Sequence, residues 1–138
     1  MTIKRRKTNR AKLIIKMVRL AKDIAKARDD YTCVRCKKKV TKVNCQGSHI
    51  IPVSKSKLLQ FDPDNIDTLC WHCHLSFWHK NPLEATAWFR SVDNDRYERL
   101  LKKANDPNTR SLKEFELTEI YNRLQIIYQQ YVDNLQKR

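Results

Sequence analysis

The stretch that decides the fold runs from residue 33 to residue 79: CVRCKKKVTKVNCQGSHIIPVSKSKLLQFDPDNIDTLCWHCHLSFWH. It opens on one Cys-x-x-Cys pair, Cys33 and Cys36, and closes on a second, Cys70 and Cys73. Such a turn lets two sulfurs converge on one ion, and a second turn completes a tetrahedron, so the spacing is that of a structural zinc site. Five cysteines in a chain with no apparent secretory leader argue for thiolates in a reducing compartment and against a disulfide framework. Cys45, the one left over, is expected to be a small buried or half-buried strand residue. Between and beside the pairs stand His49, Asn65 and His74, in that order.

Outward from this segment the chain reads as helices. Leu13, Met17, Leu20 and Ile24 form a stripe at helical spacing from about Asn9 to Arg28, with Lys12, Lys16, Arg19, Lys22 and Lys26 on the rest of the surface. An amphipathic helix with a basic outer face is expected there. Residues 40–53 suit a short hairpin or irregular strand, and Gly47, the only glycine, suits a sharp turn presenting His49. Trp71, Leu75 and Trp78 recur at i, i+4 and i+7, which predicts a short helix beginning near the second cysteine pair. Asn81, Pro82 and Glu84 carry the cap, first-turn proline and capping-box carboxylate of another helix running to about Val92. Tyr97, Leu100, Leu101 and Ala104 mark a further one. The stripe Leu117, Ile120, Leu124, Ile127, Tyr128, Tyr131 and Leu135 predicts a final helix over about Thr118 to Lys137.

Charge is as telling as pattern. The formal net charge is +14, and residues 1–30 carry 11 Lys/Arg against 3 acids, whereas residues 81–138 are nearly balanced at 10 against 9. A polyanion is the natural partner of such a field. Arg5, Arg6, Lys7 and Arg10 of the N-terminal arm, with Lys55 and Lys57 after His49, are the candidate phosphate contacts. No apolar run is long enough to span a bilayer, and no compact CxxC–HxxxH unit of the zinc-finger type is present.

The order His49–Asn65–His74, with an LC-x-x-CH ending at His74, resembles the HNH, or ββα-metal, endonucleases over roughly Cys33 to His79, about a third of the chain. The longer string SHII-x(10)-DPDN…LC-x-x-CH…NPLEA resembles the phage recombination endonucleases of the NinG/Rap type. The resemblance implies that His49 is the general base, that His74 binds a catalytic divalent ion (Mg²⁺ or another), and that Asn65 pins the loop orienting His49. The chemistry agrees: an imidazole with a pKa near 6.5 can take a proton from water, and one hard cation can neutralise the phosphate. Many members place an acid or histidine ligand directly before the base. Here that position is Ser48, a poor substitute, so metal affinity is expected to be weak. His79 lies five residues beyond His74, about 140° around an α-helix, which suggests contact with a ligand residue or with DNA rather than with the same ion.

The expected fold is α+β and mostly helical: a small zinc-bound ββα-metal core with flanking N- and C-terminal helices. We expect one domain over residues 1–138, made of a basic arm and helix (1–30), the zinc-bound core (31–80) and a helical region (81–138). Two functions fit. The first is a metal-dependent DNA endonuclease, implied by the resemblance to be cytoplasmic, phage-encoded and active on branched DNA in recombination or DNA processing. Paired nicks across a junction would suit a two-fold homodimer, whose interface the Leu117–Tyr131 stripe could supply unless it packs on Leu13, Met17 and Leu20 of its own chain. The second is a zinc-stabilised nucleic-acid-binding module, catalytically weak or inactive, which Ser48 favours.

Overall fold

A computed structural model describes residues 6–137. Its mostly helical architecture encloses a two-stranded antiparallel sheet, in the order α1 (Asn9–Arg28), β1 (Gln46–His49), β2 (Ile66–Leu69), a π-helical segment (Cys73–His79), α2 (Pro82–Ala104) and α3 (Glu114–Gln136). Short 3-10 turns at Lys42–Asn44, Leu58–Phe61 and Pro63–Asn65 fill the connections. Arg5 lies outside the described residues.

Helix α1 starts where Thr8 caps it, its hydroxyl accepting from Ala11 N at 3.2 Å. Its apolar stripe then buries Met17, Ala21 and Ile24 against Leu117 and Leu124 of α3, with Phe61 and Ile66 closing the cluster. Ile120, Ile127 and Tyr131 pack on the same cluster, so the C-terminal stripe is consumed within the chain. A second cluster gathers Val40, Cys45 and Leu69 around Cys33, Cys70 and Cys73. A third joins Ile50, Ile51 and Leu59 to Phe89 and Leu100 of α2. The two strands lie between these clusters, and β2 is buried along its whole length.

Several local expectations are corrected. The partner of β1 lies outside residues 40–53: Gln46 pairs with Leu69, and His49 with Ile66. Gly47 sits inside β1, without a positive φ, and makes no turn. Two expected helices after Pro82 are merged into α2, but Asp93 (φ −153°, ψ 67°) breaks the helical backbone one residue after the expected end. Asn81 makes no capping bond; its Nδ2 donates to the Ser76 carbonyl instead. Trp71, expected on an apolar stripe, is 55% exposed, because the turn that follows is π-helical and the α-helical period does not hold.

Strand β2 is anchored from both sides by arginines. Asp67 is buried; its Oδ1 lies 2.8 Å from Arg96 of α2 and 3.6 Å from Arg28 of α1. Arg28 also donates to the carbonyls of Pro63 and Ile66, and Arg96 to those of Asp64 and Ile66. Burial pushes the Asp67 carboxyl up, against the pull of Arg96 and Arg28. The two flanking helices are thereby tied to β2, the strand that pairs with the one carrying His49.

Candidate metal centre and active-site cleft

The four cysteine sulfurs of Cys33, Cys36, Cys70 and Cys73 lie within 4.8 Å of one another, with Cys36 Sγ and Cys70 Sγ at 3.7 Å. Sulfurs on the corners of a zinc tetrahedron stand roughly 3.8 Å apart, given Zn–S bonds near 2.3 Å. The turns themselves support the sulfurs: Cys36 N donates to Cys33 Sγ at 3.5 Å and Cys73 N to Cys70 Sγ at 3.4 Å. Arg35 lies over the Phe77 ring at 3.5 Å and reaches Cys73 Sγ at 3.5 Å. All five cysteines are free thiols. The cluster therefore fits a thiophilic ion, and it fastens the Cys33–Cys36 turn to the start of the π-helical segment. Cys45 is buried outside the four-sulfur set.

His49 and His74 line one cleft of about 480 Å³, together with Lys22, Gly47, Trp78 and His79. His49 Nε2 lies 2.7 Å from the Gln60 carbonyl oxygen. A carbonyl only accepts, so Nε2 carries the proton, and the neutral ring keeps its lone pair on Nδ1. Burial holds the His49 pKa below its usual value, the Gln60 contact opposes this, and the charge of Lys22 adds to it.

Asn65 is fully buried and saturated. Its Oδ1 accepts from Ile51 N at 2.8 Å, and its Nδ2 donates to the carbonyls of Ile51 at 3.0 Å and Leu59 at 3.1 Å. Its own carbonyl accepts from Ile50 N at 2.9 Å. One side chain thus fixes the backbone directly after His49 and the turn leading to Gln60, which holds the His49 ring.

His74 faces His79. Their Nε2 atoms are 2.9 Å apart and their ring centroids 4.5 Å apart. The expected 140° separation fails because Cys73–His79 is a π-turn, in which the hydrogen bond joins i to i+5 and stacks those residues. Burial, His79, Lys22 and His49, in that order, push the His74 pKa down to about 4. His74 Nδ1 is buried without a partner. Two imidazoles whose Nε2 atoms stand 2.9 Å apart are a fitting donor pair for a divalent transition-type cation.

The remaining candidates are placed elsewhere. Ser48 is buried with its Oγ unpartnered and is not part of the cleft lining. Lys55 and Lys57 are exposed and line a separate groove of about 500 Å³ with Arg10 and Arg110. Arg10 is partly committed, donating to the Leu112 carbonyl at 2.6 Å and to Ser111 Oγ at 3.3 Å. Arg6 and Lys7 are exposed ahead of α1, and His72 is exposed between Cys70 and Cys73.

Two cleft residues escaped sequence reasoning. Lys22 looked like one more cation on a solvated helix face, yet it is half-buried in the cleft. The signal was the lone glycine: a glycine inside a strand marks close approach of another group. His79 was legible as a histidine, but no residue pattern announced the π-turn.

Residues 33–76 match the family model described as HNH endonuclease. This associates the segment with nuclease chemistry, and so with a nucleic-acid substrate. No curated protein and no solved structure matches the chain. Among the described residues, no helix is long and apolar enough to cross a membrane.

Proposed function

We propose that the chain is a metal-dependent DNA endonuclease that hydrolyses a phosphodiester bond in the cleft between β1 and the π-helical segment. The observation that carries this reading is the convergence of His49 and His74 on one cleft, with His49 held in a single tautomer by Gln60. His49 Nδ1 takes the proton from a water attacking phosphorus. As the new O–P bond forms, the bond from phosphorus to the departing sugar oxygen breaks, its electron pair leaves with that oxygen, and solvent protonates it. Asn65 acts as a positioning residue, holding the Ile51 backbone so that His49 stays aimed.

His74 and His79 would hold the catalytic divalent ion, Mg²⁺ or a softer cation better matched to two imidazoles. When bound, the ion supplies positive charge to the phosphate and the departing oxygen. Cys33, Cys36, Cys70 and Cys73 would hold a structural zinc ion that fixes the start of the π-helical segment and hence the position of His74. With Ser48 outside the cleft lining, His79 takes the place of the ligand expected before the base.

The narrower reading, action on branched DNA in phage recombination inside the host cytoplasm, rests on the NinG/Rap resemblance. Lys55, Lys57 and Arg10, with Arg110, offer a separate basic groove for backbone phosphates, and the charges of Arg5, Arg6 and Lys7 would add to the attraction for a polyanion. A two-fold homodimer would need a surface other than the Leu117–Tyr131 stripe, which packs on α1. Incubating the zinc-loaded protein with supercoiled and junction DNA, with and without divalent cations, tests both levels. Nicking of either DNA supports the nuclease, and preference for junctions supports the narrower role. Binding without cleavage under every metal would leave a zinc-stabilised DNA-binding module.

A further inference from the structure

Gly47 and Lys22 meet across the interface between β1 and α1. A Cβ added at Gly47 would lie 2.6 Å from Lys22 Cγ and 2.9 Å from Lys22 Cβ. These atoms are near the root of the side chain, so they cannot swing away cheaply. Only a glycine lets the lysine stem run past the strand at this point, two residues before His49. The stem is half-buried, and the residue reaches the same cleft as His49 and His74.

What the ammonium lacks is a counter-ion. Among the described residues Lys22 has neither a hydrogen-bond nor an ion-pair partner, and no carboxylate lines the cleft. Other inward-reaching cations of this protein are matched, Arg96 by Asp67 and Asp64, Arg28 by Asp29. Its positive charge is nonetheless felt by His49 and His74. A half-buried cation without an acid, in the cleft that holds His49, His74 and His79, is a site for an anion.

We propose that Lys22 is the direct contact for the reacting phosphate, its ammonium neutralising a non-bridging oxygen as the attacking water adds to phosphorus. This rests on the nuclease reading for its catalytic part. Anion capture by Lys22 stands independently. Lys22 differs in kind from Lys55 and Lys57, which line a separate groove and would hold phosphates other than the reacting one.

Two measurements on the zinc-loaded full chain test it. The first uses bis(p-nitrophenyl) phosphate, a diester with no flanking phosphates for other lysines to hold, cleaved in the presence of a divalent cation. Lys22→Met, which keeps the stem and removes the charge, should lower kcat about a hundredfold, as loss of one charged transition-state contact does. Lys22→Arg should recover most of that loss, whereas Lys102→Met, at an exposed position on α2, should match the wild type. The second needs no variant. Reductive methylation of the wild type, with and without inorganic phosphate and without added divalent cation, should show Lys22 selectively protected relative to Lys102. Protection without diester cleavage by the wild type would uphold the anion site and remove the nuclease reading. Unprotected Lys22, or a Lys22→Met variant as active as wild type, overturns the proposal.

Discussion

Asn65 and Ile51 are joined at both faces of the backbone: the Asn65 amide accepts from Ile51 N at 2.8 Å and donates to the Ile51 carbonyl at 3.0 Å. The pair closes the loop that begins at His49. Asn65→Ala leaves these two groups and the Leu59 carbonyl unpaired in a buried place. Each such group costs about 1–3 kcal/mol, so urea denaturation should show a loss of at least about 2 kcal/mol. Cleavage should fall with it, through a displaced His49. A variant within about 0.5 kcal/mol of wild type, the range of ordinary surface changes, would mean that the loop is held by something else.

The cysteine cluster should hold the fold together. Metal analysis should find about one tightly bound zinc ion per chain, and chelation should lower the melting temperature steeply, since zinc binding in small modules can contribute on the order of 10 kcal/mol. Cys70→Ser should behave like the chelated protein, and Cys45→Ser should be close to silent. A stably folded chain that binds no metal contradicts this.

Asp67 gives a prediction that does not depend on metal. Asp67→Ala leaves Arg96 and Arg28 without their shared carboxylate between two helices and a strand. Removing one partner of a buried ion pair costs about 3–5 kcal/mol, and both helices should loosen together. Calorimetry with unchanged melting would show that the backbone carbonyls alone satisfy the two arginines.

Protonation of His49 sets a pH signature. Its folded pKa is held below the ordinary imidazole value near 6.5, by burial first. The base form therefore persists below that pH, and the acid limb of the rate profile should lie beneath 6.5. Stability runs the same way: as pH falls from the ordinary value toward the depressed one, the unfolded chain takes up a proton that the folded chain resists. Stability should decline over that window, and His49→Gln should remove this contribution. A rate that already halves above pH 7 would contradict the assignment.

The parts of the site legible in the sequence were those set by local spacing. Each Cys-x-x-Cys turn brings its own two sulfurs together by local spacing, and the His–Asn–His order sits in register with the two turns. Helix α1 and the C-terminal stripe were legible from period alone, because each buries one face on the other. What escaped depended on tertiary register. The π-turn that brings His79 beside His74 inserts no breaker residue, so an α-helical reading put them on different faces. Gly47 read as a turn because glycine is the default residue where φ is positive, yet here its missing Cβ admits Lys22. The Arg28 and Arg96 clamps on β2 bridge 39 and 29 positions to Asp67, and no short-range pattern encodes such a meeting.

In the proposed mechanism His49 removes a proton from water in a metal-dependent cleavage. Single-turnover nicking of supercoiled DNA by the zinc-loaded protein with added Mg²⁺ or Mn²⁺, beside His49→Ala, tests it most directly. We expect His49→Ala to cut about 10² to 10⁴ times more slowly, as loss of a general base does, while DNA affinity measured in Ca²⁺ stays unchanged. Cleavage by His49→Ala at the wild-type rate would contradict the claim, as would a wild-type protein that never nicks under any divalent ion.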